Sequence, residues 1–352
     1  MTFGARVLKT GIAVTLALYI SDLLAFKPPV IAAVAAIFAM QPSIYRSWRY
    51  FLEQLQTNTL GAALAMGAGT IFSNKPIAVG LVCILVIMIC LKMGMEETVG
   101  LTLVTVIAVM EASGQWEFAL NRFLLSLIGI ASACLINIVF FPPRPKEQFI
   151  VQIHTVFDKL SLLLRTVISD EIKEKVFREE KRGLEDSLHS LSEKYKLFEE
   201  EIKRLRKGKF GQVRLLVVYK QMLHGLRTGL TVLDVVEQHY FQAARSAETD
   251  KRYDAHLERL IKLHEHIMLK FDGKIKADSA SHLNERENEA FIQETACRMD
   301  GGKDGPVRLT IVASAMYDYG HQLFRLDRLV EHYLKGTEDR ESESLLPAWL
   351  RR

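Results

Sequence analysis

The chain has 352 residues, 45 basic and 41 acidic side chains, a net charge of +4 and 49% hydrophobic content. That average joins two unlike halves: residues 1–146 hold 10 Lys+Arg and 6 Asp+Glu, and the remaining 206 hold 35 of each. Balanced charge excludes the net basic face a nucleic-acid partner needs. Four cysteines (Cys83, Cys90, Cys134 and Cys297) without paired spacing exclude a disulfide framework or a zinc site.

In chain order, apolar stretches occupy 10–26, 28–40, 57–72, 76–91, 98–110 and 123–141. A bilayer core of ~30 Å wants ~20 helical residues, so several are short one by one. Six in series with almost no charge between them predict a six-span, all-α membrane domain over residues 1–145. Arg6 and Lys9 ahead of the first stretch resemble a secretory signal. Asp22 at its end and the lack of an Ala-x-Ala site mark it as an uncleaved first helix.

Between the second and third stretches lies "FAMQPSIYRSWRYFLEQLQ" (38–56). Gln41-Pro42 closes the preceding helix, because the residue before proline is pushed out of the α region. Arg46 and Arg49 then mark a cytoplasmic loop with Tyr45, Trp48 and Tyr50 as interfacial aromatics, and Arg49 pairs with Glu53 wherever this loop is helical. With the N-terminus inside, the inner set is Arg6, Lys9, Arg46, Arg49, Lys92, Arg144 and Lys146, against Lys27, Lys75 and Arg122 outside. Six spans return the chain to the cytoplasm, so both termini are expected there.

The second and fifth stretches are both short. Three spans plus three give either two repeats of inverted topology, with a binding site at the short segments, or simply less tilted helices. Gly61, Ala65 and Gly69, and again Gly129 and Ala133, form small-residue stripes that serve either helix packing within one subunit or a homo-oligomer seam.

Residues 30–65, "VIAAVAAIFAMQPSIYRSWRYFLEQLQTNTLGAALA", and 92–111, "KMGMEETVGLTLVTVIAVME", resemble the aromatic acid exporter family, a bacterial relative of the fusaric-acid resistance proteins and more distantly of plant anion channels. Met40-Gln41-Pro42-Ser43 and the Glu96-Glu97 turn are its most specific parts. The resemblance covers the whole chain and implies six spans, a proline-rich exit at 141–145, a helical cytoplasmic region and transport.

From residue 146 to 352 the signal is heptad spacing. Leu184, Leu188, Leu191, Tyr195, Phe198, Ile202 and Leu205 form one seam; Leu309, Val312, Met316, Tyr319, Leu323, Leu326, Val330 and Tyr333 form another. Ile150, Ile153, Phe157, Leu160, Leu164 and Val167 form a third, and residues 219–233 a fourth. Such seams predict a helical bundle or coiled coil. "GKFG" (208–211) and "DGGKDGP" (300–306) read as helix breaks, the latter lacking the frame of a P-loop. "KEKVFREEKR" (173–182) reads as a solvated helix face. His264 and His266 stand two apart, the wrong spacing for helical metal ligands, and no nucleophile–base arrangement appears. Neither a metal, a cofactor nor enzyme activity is expected.

The leading expectation is an inner-membrane secondary transporter exporting small organic anions, with the lipid bilayer as its setting. Arg49, Lys92 and Arg122 are the candidate cations and Trp48 and Tyr45 the candidate stacking surface for an aromatic substrate. Asp22, Glu96, Glu97 and Glu111 are the candidate proton-coupling carboxylates, since ionisable groups at membrane depth are functional suspects. The alternatives are a membrane-anchored structural or regulatory protein whose bundle binds a partner, and a passive anion channel.

Overall fold

A computed structural model describes residues 5–72, 75–111, 116–140, 145–168, 174–204, 210–243, 246–276, 279, 283–297 and 304–345. Every regular element among them is helical. The chain divides into two compact units, Met1–Arg144 and Pro145–Arg352. The segment 141–144 lies outside the described residues.

The first unit comprises α1 (Ala5–Leu23), α2 (Val30–Phe38), α3 (Ile44–Phe72), α4 (Pro76–Lys92), a 3-10 turn (Glu96–Thr98), α5 (Val99–Glu111) and α6 (Trp116–Leu135). A π-helical turn, Ile136–Phe140, prolongs α6. Among the described residues, one helix, Trp116–Phe140, is long and apolar enough to cross a membrane by length and composition, and Pro76–Lys92 is apolar but shorter.

The loop expected after Pro42 is not there. Ser43 caps a 29-residue helix, its hydroxyl accepting from the Arg46 amide at 3.1 Å. Residues 44–56 therefore form the first half of the helix whose second half is the third apolar stretch. Its polar residues misled the reading because they face inward: Ser47, Tyr50, Gln54, Thr57 and Asn58 are all buried.

Packing in this unit is symmetric between the halves. The short α2 packs mainly on α6, and the short α5 mainly on α3. Likewise α1 packs on α2 and α6, while α4 packs on α5 and α3. Exchanging α1, α2, α3 with α4, α5, α6 maps these neighbours onto one another, although α5 also touches α6 where α2 and α3 have no comparable contact. Each pair meets at a glycine. A Cβ on Gly61 would stand 2.8 Å from Thr102 Cγ2, and one on Gly129 would collide with the Ala32 carbonyl. Gly61, Ala65, Gly129 and Ala133 of the two small-residue stripes are buried within the subunit, and Gly69 is half-buried.

The second unit contains α7 (Pro145–Ile168), α8 (Glu174–Arg204), α9 (Phe210–Val235), a π-helical turn (Val236–Tyr240), α10 (Ala247–Phe271), α11 (Glu285–Cys297) and α12 (Asp304–Leu345). The heptad positions Leu184 to Ile202, Val312 to Val330 and Ile153 to Val167 all point into one continuous core; Leu205, residues 208–209 and 300–303 lie outside the described residues. Residues 304–306, expected to extend the break, instead open α12. Aromatic rings knit the centre, with Tyr219 beside Phe149 at 4.9 Å and Phe198 at 5.7 Å. Lys270, 1% exposed, is the charged side chain buried deepest there and is held by Asp327 and Glu331 at 2.7 and 3.1 Å. His264 and His266 diverge: His264 Nδ1 meets the Tyr319 hydroxyl at 2.7 Å, and His266 Nε2 the Ser279 carbonyl at 3.2 Å.

Candidate functional site

An apolar unit that buries polar groups concentrates its chemistry where it buries them. In the first unit these groups form a seam along α3, α5 and α6. The 3,4 spacing of Ser47, Tyr50, Gln54, Thr57 and Asn58 puts them on one face of α3. Thr98 of the 3-10 turn and Thr102 and Thr105 of α5 repeat the pattern, and Ser126, Ser132 and Asn137 are buried from α6 and its π turn.

At one end of the seam Asn137 ties three elements together. Its Nδ2 donates to the Gln41 carbonyl at 2.9 Å and to Ser47 Oγ at 2.7 Å, and its Oδ1 accepts from Lys9 Nζ at 3.2 Å. The π turn is what swings this side chain inward, a common use of such turns. Further along, Gln54 Nε2 donates to Thr102 Oγ1 at 3.1 Å, and Thr102 donates to Thr57 Oγ1 at 2.9 Å. Thr57 returns its hydrogen to the backbone carbonyl of Glu53 or Gln54.

Several seam atoms are buried with no hydrogen-bond partner: the Tyr50 hydroxyl, Gln54 Oε1, Asn58 Oδ1, Arg122 Nε, Ser126 Oγ and Ser132 Oγ. A buried polar atom left unpaired costs ~1–3 kcal/mol, so these atoms are the places in the unit where a water or ligand would gain most by binding. Four of them are related by the repeat. Gln54 and Asn58 precede Gly61 by seven and three residues; Arg122 and Ser126 precede Gly129 by the same intervals. The two glycine contacts thus carry equivalent polar pairs, one offering carbonyl oxygens and the other a half-buried guanidinium with a hydroxyl.

The sequence-expected residues fall into three groups. Arg122 joins the seam. Tyr45, Trp48, Arg49 and Glu97 gather at the end where α3 begins: Arg49 binds Glu53 with the Glu97 carboxylate in its field, and the Trp48 ring stacks on Phe51 at 5.6 Å. Lys92, Asp22, Glu96 and Glu111 are exposed at helix ends and the seam does not include them. Among the described residues, every buried polar side chain of this unit is uncharged. Sequence reasoning missed Gln54, Asn58, Thr102, Ser126 and Asn137 because it searched for charge. The legible signal was amides and hydroxyls at helical spacing.

Lys9, Arg46, Arg49 and Lys92 stand at the end where α1 and α3 begin and α4 finishes, while Lys27, Lys75 and Arg122 stand toward the other. At that second end the Asn121 side chain donates to the Lys27 carbonyl at 2.6 Å.

Residues 1–140 match a family profile described as "Aromatic acid exporter family member 1". Over 340 residues, 95% of this chain and 96% of the relative, the sequence is 32% identical to the UPF0421 protein YgaE of Bacillus subtilis. It is 28% identical over 160 residues to a UPF0421 protein of Oceanobacillus iheyensis, 45% of this chain and 46% of that one. A UPF0421 protein of Staphylococcus epidermidis is 29% identical over 150 residues, 41% and 45% of the respective chains.

Proposed function

Because the chain belongs to the aromatic acid exporter family, we propose that it is a cell-membrane secondary transporter that moves organic anions, aromatic carboxylates among them, out of the cytoplasm. Six helices cross the bilayer, both termini face inward, and the second unit works in the cytoplasm as a helical bundle. The observation that carries this reading is the seam of buried polar atoms inside a unit whose outward side chains, such as Leu81, Ile84, Met88 and Ile107, are apolar. A soluble fold has no reason to invert in this way; a path through hydrocarbon does.

The residues divide the work by position. Arg49, exposed and near Tyr45, meets a carboxylate at the inner mouth, where its fork matches both oxygens. Arg122, with an unpaired Nε, receives it toward the outer side, with the Ser126 hydroxyl one turn deeper. Glu97, close to Arg49 and Tyr50, is the best placed of the four carboxylates to exchange a proton as the substrate passes; Asp22, Glu96 and Glu111 are left at the rims. Lys92 adds to the positive inner rim that draws the anion in.

Proteoliposomes holding the full chain and loaded with a panel of benzoate-like and aliphatic acids test the reading. Efflux of aromatic carboxylates driven uphill by a proton gradient is expected, and Arg122→Gln should abolish most of it. Flux that only runs downhill identifies a channel. No flux of any panel member removes transport and leaves a membrane-anchored scaffold. Orientation is checked separately: a cysteine at exposed Lys75 should react with an impermeant thiol reagent on intact cells, and one at exposed Lys92 should not.

A further inference from the structure

We infer that the α3–α5 contact is a binding site for a monovalent cation of about the size of sodium, held by Gln54, Thr57, Asn58 and Thr102. The argument is an accounting of hydrogens. Thr102 spends its hydroxyl hydrogen on Thr57, and Thr57 spends its own on backbone carbonyls. Gln54 Nε2 already donates to Thr102. What the cluster offers in return is lone pairs: both on Gln54 Oε1 and both on Asn58 Oδ1, neither with a donor, and one left on each threonine oxygen.

Hydrogen bonds already bring three of these side chains together. Gln54 and Asn58 are one turn apart on a single helix face, where Cβ atoms stand ~5–6 Å from each other. Thr102 is fixed opposite them by its two hydrogen bonds. All four side chains are 2% exposed or less. A water-excluded pocket whose unpartnered atoms are amide oxygens is wrong for the substrate anion and right for a hard cation, which takes carbonyl and hydroxyl oxygens. The charge is set by what is missing: among the described residues no buried carboxylate reaches this pocket, and divalent cations are normally bought with carboxylates. The repeat-related pair, Arg122 and Ser126, supplies the opposite sign at the other glycine contact, so the two halves present one site for each ion of a salt.

The inference extends the membrane reading, but its test needs no flux. The thermal midpoint of the full-length protein in detergent is measured as sodium chloride replaces N-methylglucamine chloride at constant ionic strength. A saturable rise with sodium is expected, because a ligand bound to the folded state alone stabilises it. Gln54→Leu should remove the rise. Should that variant fold poorly, Asn58→Asp decides: a carboxylate in place of the carbonyl should lower the half-saturating sodium concentration by on the order of tenfold. Equal midpoints in the two salts, or an Asn58→Asp protein with unchanged half-saturation, would overturn the site. Sodium-dependent stability without anion flux keeps this site and removes the export reading; flux without sodium dependence does the reverse.

Discussion

In the first unit, Gln54, Asn58, Thr102 and Ser126 are buried while Leu81, Ile84, Leu85 and Met88 face outward. In the second, Leu184, Leu191, Tyr219 and Tyr319 are buried while Lys175, Arg178, Glu179 and Lys196 face outward. Both are helical, both bring helices together at glycines, and both use 3,4 spacing to mark the buried face. They differ in the solvent each exterior is built for. A helix seam therefore says which residues meet, and the opposite face says what surrounds them.

Separating the units is the largest perturbation and the most direct way to break this contrast. Residues 145–352 expressed alone should be soluble and give a far-UV circular dichroism spectrum dominated by helix, because their heptad faces cover one another. Residues 1–144 should leave the membrane fraction only with detergent. A coil-dominated spectrum from the first fragment, or aqueous solubility of the second, would undo the contrast.

Next in size are the glycine contacts. Gly129→Ala places a methyl group against the Ala32 carbonyl, so α2 and α6 must separate. Overpacking of this kind costs about 1–3 kcal/mol. Gly67→Ala, on the same helix as Gly61 but with nothing within 4 Å, should be neutral or slightly stabilising. Thermal midpoints of the two full-length variants in one detergent provide the comparison, and equal midpoints would refute the close approach.

The second unit buries titratable groups where the first buries neutral ones, and pH should expose that difference. Burial lowers His256 to about 4, aided by Arg259 and Arg252, and lowers His264 to about 3. An unfolded histidine titrates near ~6.5, so below that pH the unfolded chain takes up protons that the native one refuses. Stability of residues 145–352 should be full above pH ~6.5 and fall toward pH 4, by up to about 1.4 kcal/mol per pH unit for each histidine. Urea midpoints across that range should be flatter in His264→Gln than in the parent. An identical slope would mean that His264 is not shielded.

Much of the fold was legible. The six apolar stretches and the heptad seams fall on helices, and Leu184 through Ile202 are buried as their spacing required. The start of α3 was not. Arg46, Trp48 and Arg49 look like a loop because charge counts say nothing about direction, whereas the helix turns these side chains outward and Ser47, Tyr50 and Gln54 inward. The site was hidden for a related reason. Charged candidates such as Asp22, Glu96 and Lys92 sit at helix ends, where water is close, and neutral amides bear the burial. The likeness of the two halves was visible only as two short stretches, because the residues at matching offsets from Gly61 and Gly129, Gln54 with Arg122 and Asn58 with Ser126, differ in chemistry.

The smallest effect on stability, and the sharpest on function, belongs to Arg49. Its side chain is 45% exposed and its partner Glu53 lies one turn on. An exposed pair of this kind contributes ~0.3–0.5 kcal/mol, so Arg49→Ala should scarcely move the thermal midpoint. Export should fall nonetheless if, as proposed, the guanidinium meets the carboxylate first. Arg49→Lys should recover only part of the rate, since an ammonium cannot grip both carboxylate oxygens. Arg46→Ala removes a positive charge at the same end and serves as the control: it should leave the rate close to the parent, with the six other basic residues of the expected inner set (Lys9, Arg49 and Lys92 among them) still in place. Rates are compared per molecule of protein in the membrane, to separate transport from insertion. If the two alanine variants behave alike and lysine restores both fully, Arg49 is a marker of orientation, and first contact with the substrate must be sought at the seam itself.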